Sequence, residues 1–204
     1  VLRVGYERLG TGATAVGIRT KDSVVLAAEK RVSYGGFVLS KSARKVFKIK
    51  DRYGLAFAGL FADIQTLKRV MEVQIHSYEI ENMRPISVRS AARLLSVILY
   101  QYKALPFLSE VIFAGIDETG PHLYVMDALG SLIEDDYAAI GTGAPIAIGI
   151  LESGYKKDIS LEDAEKLAIK AIEAAISRDA VSGDGVDVVV ISPEGSREYT
   201  HLIR

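Results

Sequence analysis

Thr14-Ala15-Val16-Gly17-Ile18-Arg19 and Ser23-Val24-Val25-Leu26-Ala27-Ala28-Glu29 are two strand-like runs on either side of a Lys21-Asp22 turn. In the second run every residue from Val24 to Ala28 is apolar. A half-exposed strand alternates with a period of two, whereas continuous apolarity is expected where both faces of a sheet are covered. Something must therefore pack on each side of this strand, which points to a layered architecture.

Working outward, the Tyr34-Gly35-Gly36 turn leads to a short strand at 37–39, and residues 46–49 and 55–58 read as a further pair joined through 50–54. Helical spacing then takes over. Ile64, Leu67, Val70, Met71, Ile75 and Tyr78 follow steps of three and four, with Gln74 the polar exception. Pro85 ends that helix. Ser87 is placed to cap a second one, with Val88, Ala91, Leu94, Leu95, Ile98 and Leu99 along one side. Residues 110–116, 122–126 and 137–140 return to strand patterning, separated by Asp117-Glu118-Thr119-Gly120 and Asp127-Ala128-Leu129-Gly130 turns. Residues 145–154 form a third helix, and Ser160-Leu161-Glu162-Asp163 opens a fourth that runs to about Ile176. The almost continuously apolar run 186–191, a Pro193-Glu194-Gly195 turn and a final strand complete the chain. Helix pairs segregated between runs of strands predict two stacked sheets with helices outside both, an α/β layered sandwich.

Composition narrows the function. The 204 residues carry a net charge of −1, which offers no electrostatic reason for a nucleic-acid or anionic-membrane partner. There are no cysteines, so disulfides, thiol catalysis and thiolate metal sites are excluded; a cytoplasmic location fits. No run approaches the ~20 apolar residues of a membrane span, and Arg3, Glu7 and Arg8 interrupt any signal-peptide core. His76, His122 and His201 match no ligand spacing, and no metal or cofactor is expected. Lys41, Arg44, Lys48, Lys50 and Arg52 form a basic run that reads as a solvated face or subunit contact, and so does Asp135-Asp136.

Several motifs in one order carry a family resemblance. They are Thr14-Ala15-Val16-Gly17-Ile18, the stretch from Asp22 through Glu29-Lys30-Arg31, and the stretch from Ser40 through Lys45 to Ile49. Ala58-Gly59-Leu60-Phe61-Ala62-Asp63, the run from Gly115 to Tyr124, and the run from Ser177 through Asp179 and Ser182-Gly183-Asp184-Gly185 to Asp187 follow. With these the chain resembles subunits of the 20S proteasome core particle, and most closely the archaeal β type. The resemblance implies the four-layer αββα sandwich of N-terminal nucleophile hydrolases, with two largely antiparallel sheets flanked by helix pairs. It divides the chain into a short leader-like arm at 1–12 and a single β-type domain at 13–204. An α-type gating subunit shares Thr-Ala-Val-Gly-Ile, but that class resembles one another in a long helical N-terminal extension. The twelve residues ahead of Ala13 carry no helical pattern, and Ser182-Gly183-Asp184-Gly185 favours the β class.

In active members of this family the nucleophile is an N-terminal threonine exposed by cleavage after glycine. Its hydroxyl needs a base and a setting that lowers the cost of deprotonation. The resemblance implies Lys45 as the lysine beside it, Glu29 as the carboxylate that fixes the lysine, and Gly59 as the oxyanion N–H. Asp179 and Ser182 match the pair around the nucleophile's amine, and Thr142 stands where active members often show serine. Val32, Ala43, Phe57 and Phe61 would line the substrate pocket. The nucleophile position falls on Ala13, a methyl that cannot attack a carbonyl.

Three accounts of Ala13 follow. The chain is a naturally silent β subunit that keeps its leader; or it is a threonine-to-alanine form of an active endopeptidase; or another threonine serves. Thr11 would stand two residues upstream, roughly 6–7 Å along an extended strand. Thr14 would point to the opposite face. The partners implied are other β subunits, alike or paralogous, in a seven-membered ring, an α ring above it, and unfolded polypeptide substrates.

Overall fold

The structure is a computed structural model and describes residues 12–34 and 36–203. The expected arm at 1–11, Thr11 and the Gly35 turn position lie outside the described residues. Two five-stranded sheets form the centre. The first contains β1 (Thr14–Arg19), β2 (Val24–Glu29), β10 (Tyr137–Gly141), β11 (Val186–Ser192) and β12 (Gly195–His201), in the order β10-β1-β2-β11-β12. The second runs consecutively through β5 (Val46–Ile49), β6 (Tyr53–Gly59), β7 (Ser109–Asp117), β8 (Gly120–Met126) and β9 (Ile133–Glu134). Every pairing in both is antiparallel. A separate hairpin joins β3 (Val32–Tyr34) to β4 (Phe37–Ser40).

Helices α1 (Phe61–Asn82) and α2 (Val88–Gln101) cover the outer face of the second sheet. Helices α3 (Ala144–Gly154) and α4 (Leu161–Ile176) cover the first. The period of two sorts each strand between layers. On β2, Val24, Leu26 and Ala28 enter the layer between the sheets, while Val25 and Ala27 meet α3 and α4. On β6, Ala56 and Ala58 face the other sheet, and Leu55 and Phe57 face α1 and α2. This is the αββα sandwich, and the continuous apolarity of Val24–Ala28 follows from lying between two packed layers.

Seven of the fifteen buried residues in the layer between the sheets are alanines: Ala13, Ala15, Ala28, Ala56, Ala58, Ala114 and Ala138. Larger side chains, among them Leu26, Ile112, Leu123, Ile140 and Ile191, fill the rest, and Leu26 fits closely against a glycine of each sheet. A Cβ on Gly17 would lie 2.9 Å from its Cδ2, and one on Gly54 2.7 Å from its Cδ1, so the two glycines make the slot this leucine fills. Truncating such a side chain costs ~2–5 kcal/mol because the cavity does not collapse fully.

The expected caps form. Ser87 Oγ accepts from the Ser90 amide at 3.2 Å, and Ser160 Oγ from the Asp163 amide at 3.1 Å. Helix α1 ends on Met83 in the left-handed region (φ 53), two residues before Pro85. The two-residue strand β9 has no counterpart among the expected elements. Asp136 binds Arg19, so the Asp135-Asp136 turn is tied down on one side. No described helix is long and apolar enough to cross a membrane.

Candidate active site

Glu29 is the last residue of β2, and Lys45 stands directly ahead of β5, held by the Phe57 amide donating to its carbonyl at 2.9 Å. The two side chains form an ion pair with 0% and 2% exposure. Lys45 also donates to the Arg31 carbonyl. The other Glu29 oxygen accepts from the Arg31 amide at 2.7 Å and the Gly183 amide at 3.0 Å. Burial pushes the carboxyl up and the ammonium down. Against this, Lys45 and the two amides favour the charged carboxylate, and Glu29 favours the charged lysine. A lysine brought toward neutrality by burial can exchange a proton with a hydroxyl placed within reach.

Ala13 sits just ahead of β1 with 1% exposure, and its methyl joins the layer between the sheets with Ala15 and Ala58. Its nitrogen is a peptide nitrogen bonded to Gly12, neither a base nor a nucleophile. Its carbonyl accepts from the Thr142 amide at 2.9 Å. Asp179 gathers the hydroxyls around it. One carboxylate oxygen accepts from Thr142 Oγ1 at 2.6 Å and Ser182 Oγ at 2.7 Å, and the other from the Val181 amide at 3.2 Å. Since the single Ser182 hydroxyl proton goes to Asp179, Thr14 must donate to Ser182 across their 2.8 Å contact. Thr14 is fully buried on the face opposite Ala13, against Gly143 and Ser182, so its hydroxyl does not reach the layer between the sheets.

Gly59 ends β6 at φ +136, where a Cβ would lie 2.0 Å from the Leu108 carbonyl oxygen. The Leu60 amide donates to that carbonyl, and Asp63 accepts from the Leu108 amide, so the turn is locked from both sides. Lys45, Gly59 and Gly12 line one cavity of about 160 Å³ with Val32, Tyr34, Leu39 and Phe61. Val32 and Phe61 are thus brought together with Lys45 and Gly59. Phe57 is not: it has 0% exposure, meets Phe47 edge-on and faces α1 and α2, because its odd position on β6 points away from the other sheet. Ala43 is buried outside this cavity, with its amide on the Lys30 carbonyl. One bulky phenylalanine, not two, borders the space.

The sequence assigns no site role to Arg31, Gly12 or Gly183, and Thr14 enters only as an alternative nucleophile. The first three act through backbone atoms or through the close fit of a glycine, which no side-chain pattern announces. Among the described residues no group of three or more His, Asp or Glu is arranged to hold a metal ion.

Four layers around a buried lysine–carboxylate pair, beside a glycine amide at a strand end, define the N-terminal nucleophile hydrolase class. A family model described as Proteasome subunit matches residues 9–191. Proteasome subunit beta 1 of Hyperthermus butylicus is 65% identical over 192 residues, covering 94% of this chain and 94% of the relative. Proteasome subunit beta 2 of Pyrobaculum arsenaticum and its namesake in Pyrobaculum calidifontis are each 55% identical over 192 residues, 94% of this chain and 95% of each relative. The chain belongs to the proteasome subunit family, and within it to the β type.

Proposed function

We propose that this β-type subunit builds the chamber of a 20S core particle without cutting peptides itself. It would take its place in a seven-membered ring with like or paralogous β subunits, against an α ring. A paralogue would hydrolyse the unfolded polypeptides fed in by an ATP-dependent or other regulator. The observation that carries this is Ala13 itself, a 1% exposed methyl with no hydroxyl, directly after Gly12, which lines the cavity shared by Lys45 and Gly59. Without a hydroxyl there is no autocleavage, and residues 1–12 stay attached.

The intact state of Glu29, Lys45, Gly59, Asp179, Ser182 and Thr142 favours a second reading, an active endopeptidase seen in threonine-to-alanine form. In that reading Lys45 would take the hydroxyl proton and the Gly59 amide would stabilise the oxyanion, a donor whose removal costs roughly 3–4 kcal/mol in comparable sites.

Intact-mass analysis of the chain in assembled particles from its native source tests the first reading. A chain that retains residues 1–12 and alanine at position 13 supports it. A chain beginning at Thr11, or one carrying threonine at position 13, contradicts it.

A further inference from the structure

At the corner where α1 turns into α2, a second cavity of about 500 Å³ opens away from Lys45 and Gly59. At ~30 Å³ per water this is room for on the order of fifteen waters, far more than one small ion needs. Three guanidiniums line it from three separate elements: Arg52 from the β5–β6 connection, Arg84 from the α1–α2 loop and Arg89 from the first turn of α2. None of the three makes an ion pair or side-chain hydrogen bond among the described residues.

The acids that share the wall are differently placed. Asp117 accepts from the Val88 amide at 2.8 Å and the Thr119 amide at 2.9 Å, and Glu134 faces His122 Nδ1 at 2.7 Å. Thr119 has one hydroxyl proton, which goes to Asp117 Oδ1 at 2.6 Å. Thr119 Oγ1 also lies 2.7 Å from His122 Nε2, which ties the ring into the same wall. Only Glu118 is an uncommitted carboxylate in the wall. The Tyr124 side chain, 3% exposed, adds a further feature: its hydroxyl lies near Glu134, but no group meets it with hydrogen-bond geometry.

We propose that this cavity binds a small multiply charged phosphate compound, of diphosphate size or larger, through Arg52, Arg84 and Arg89. A guanidinium presents a rigid fork that matches two phosphoryl oxygens. Three unpaired forks on three elements exceed what a lone carboxylate or orthophosphate can engage, and the volume suits a ligand with several phosphoryl groups. The site is independent of whether Ala13 leaves the chain silent.

Titration calorimetry with sodium tripolyphosphate, at fixed ionic strength, tests this on the full chain and on the assembled particle. One tripolyphosphate per chain is expected in both, with orthophosphate weaker. The exposed double variant Arg84→Gln/Arg89→Gln should weaken binding by about tenfold or more, as two charge-assisted contacts require. The distant control Lys157→Gln should leave it unchanged. Absence of saturable binding, equal binding of orthophosphate, or an equal loss in Lys157→Gln would overturn the proposal. So would binding to the free chain that vanishes on assembly, since acidic groups of a neighbouring subunit would then be the occupant.

Discussion

Glu29 grips Lys45 with one carboxylate oxygen and the Gly183 amide, 3.0 Å away, with the other. A single buried side chain thus joins the lysine just ahead of β5 to the loop that carries Ser182. Both members of the ion pair are withdrawn from water, so each depends on the other for compensation.

Lys45→Met should therefore destabilise the chain by about 3–5 kcal/mol, because it strands a carboxylate with no exposure. Adding Glu29→Gln should recover part of the loss. Chemical denaturation of the two variants measures it, and a single variant as stable as the parent would contradict the pairing.

Ser182→Ala leaves the Thr14 hydroxyl buried with no acceptor, at a cost of about 1–3 kcal/mol. Thr14→Val in the same chain removes the orphaned group, so the double variant should lie nearer the parent than the two single losses predict. A double-mutant cycle in denaturant reads this coupling directly; strict additivity argues against the contact.

Gly59→Ala forces a side chain into φ +136 and onto the Leu108 carbonyl. A loss of about 1–3 kcal/mol is expected from backbone strain alone, measured as a fall in the denaturation midpoint. An unchanged midpoint would mean that the turn relaxes freely.

Asp117 gives the acid limb of the stability profile a specific origin. Burial acts to raise its pKa, but the Thr119 hydroxyl and amide, the Val88 amide and the His122 ring outweigh it and hold the carboxyl below its usual range. A depressed folded-state pKa contributes stability above the unfolded value of about 4, and that stability is lost as the pH falls through the folded one. Asp117→Asn should accordingly flatten the decline in unfolding free energy below pH ~4. Parallel declines in the two proteins would remove Asp117 from the account.

The layered fold was legible because its strongest signals are local. Val24–Ala28 must be covered on both faces, and Ser87 and Ser160 announce helix starts by hydrogen bonds that span three residues. Strand β9 left no trace, since two exposed residues carry neither length nor alternation. Phe57 illustrates a different limit. Its place on β6 fixes which face it takes, but only the pairing of β6 with the helix layer says that this face is core and not cavity. Within the site, the lysine, carboxylates and hydroxyls could be named from motifs, while the carbonyl of Arg31 and the amide of Gly183 could not. The second cavity assembles Arg52, Arg84 and His122 from distant turns, a convergence that only tertiary structure reveals.

The central claim is that one missing hydroxyl separates this chain from activity. Ala13→Thr in the assembled particle tests it most directly, with peptide hydrolysis and the mass of the processed chain read together. The account predicts that residues 1–12 are removed and that hydrolysis by this subunit appears. A correctly assembled Ala13→Thr particle that keeps the leader and cleaves nothing would contradict it.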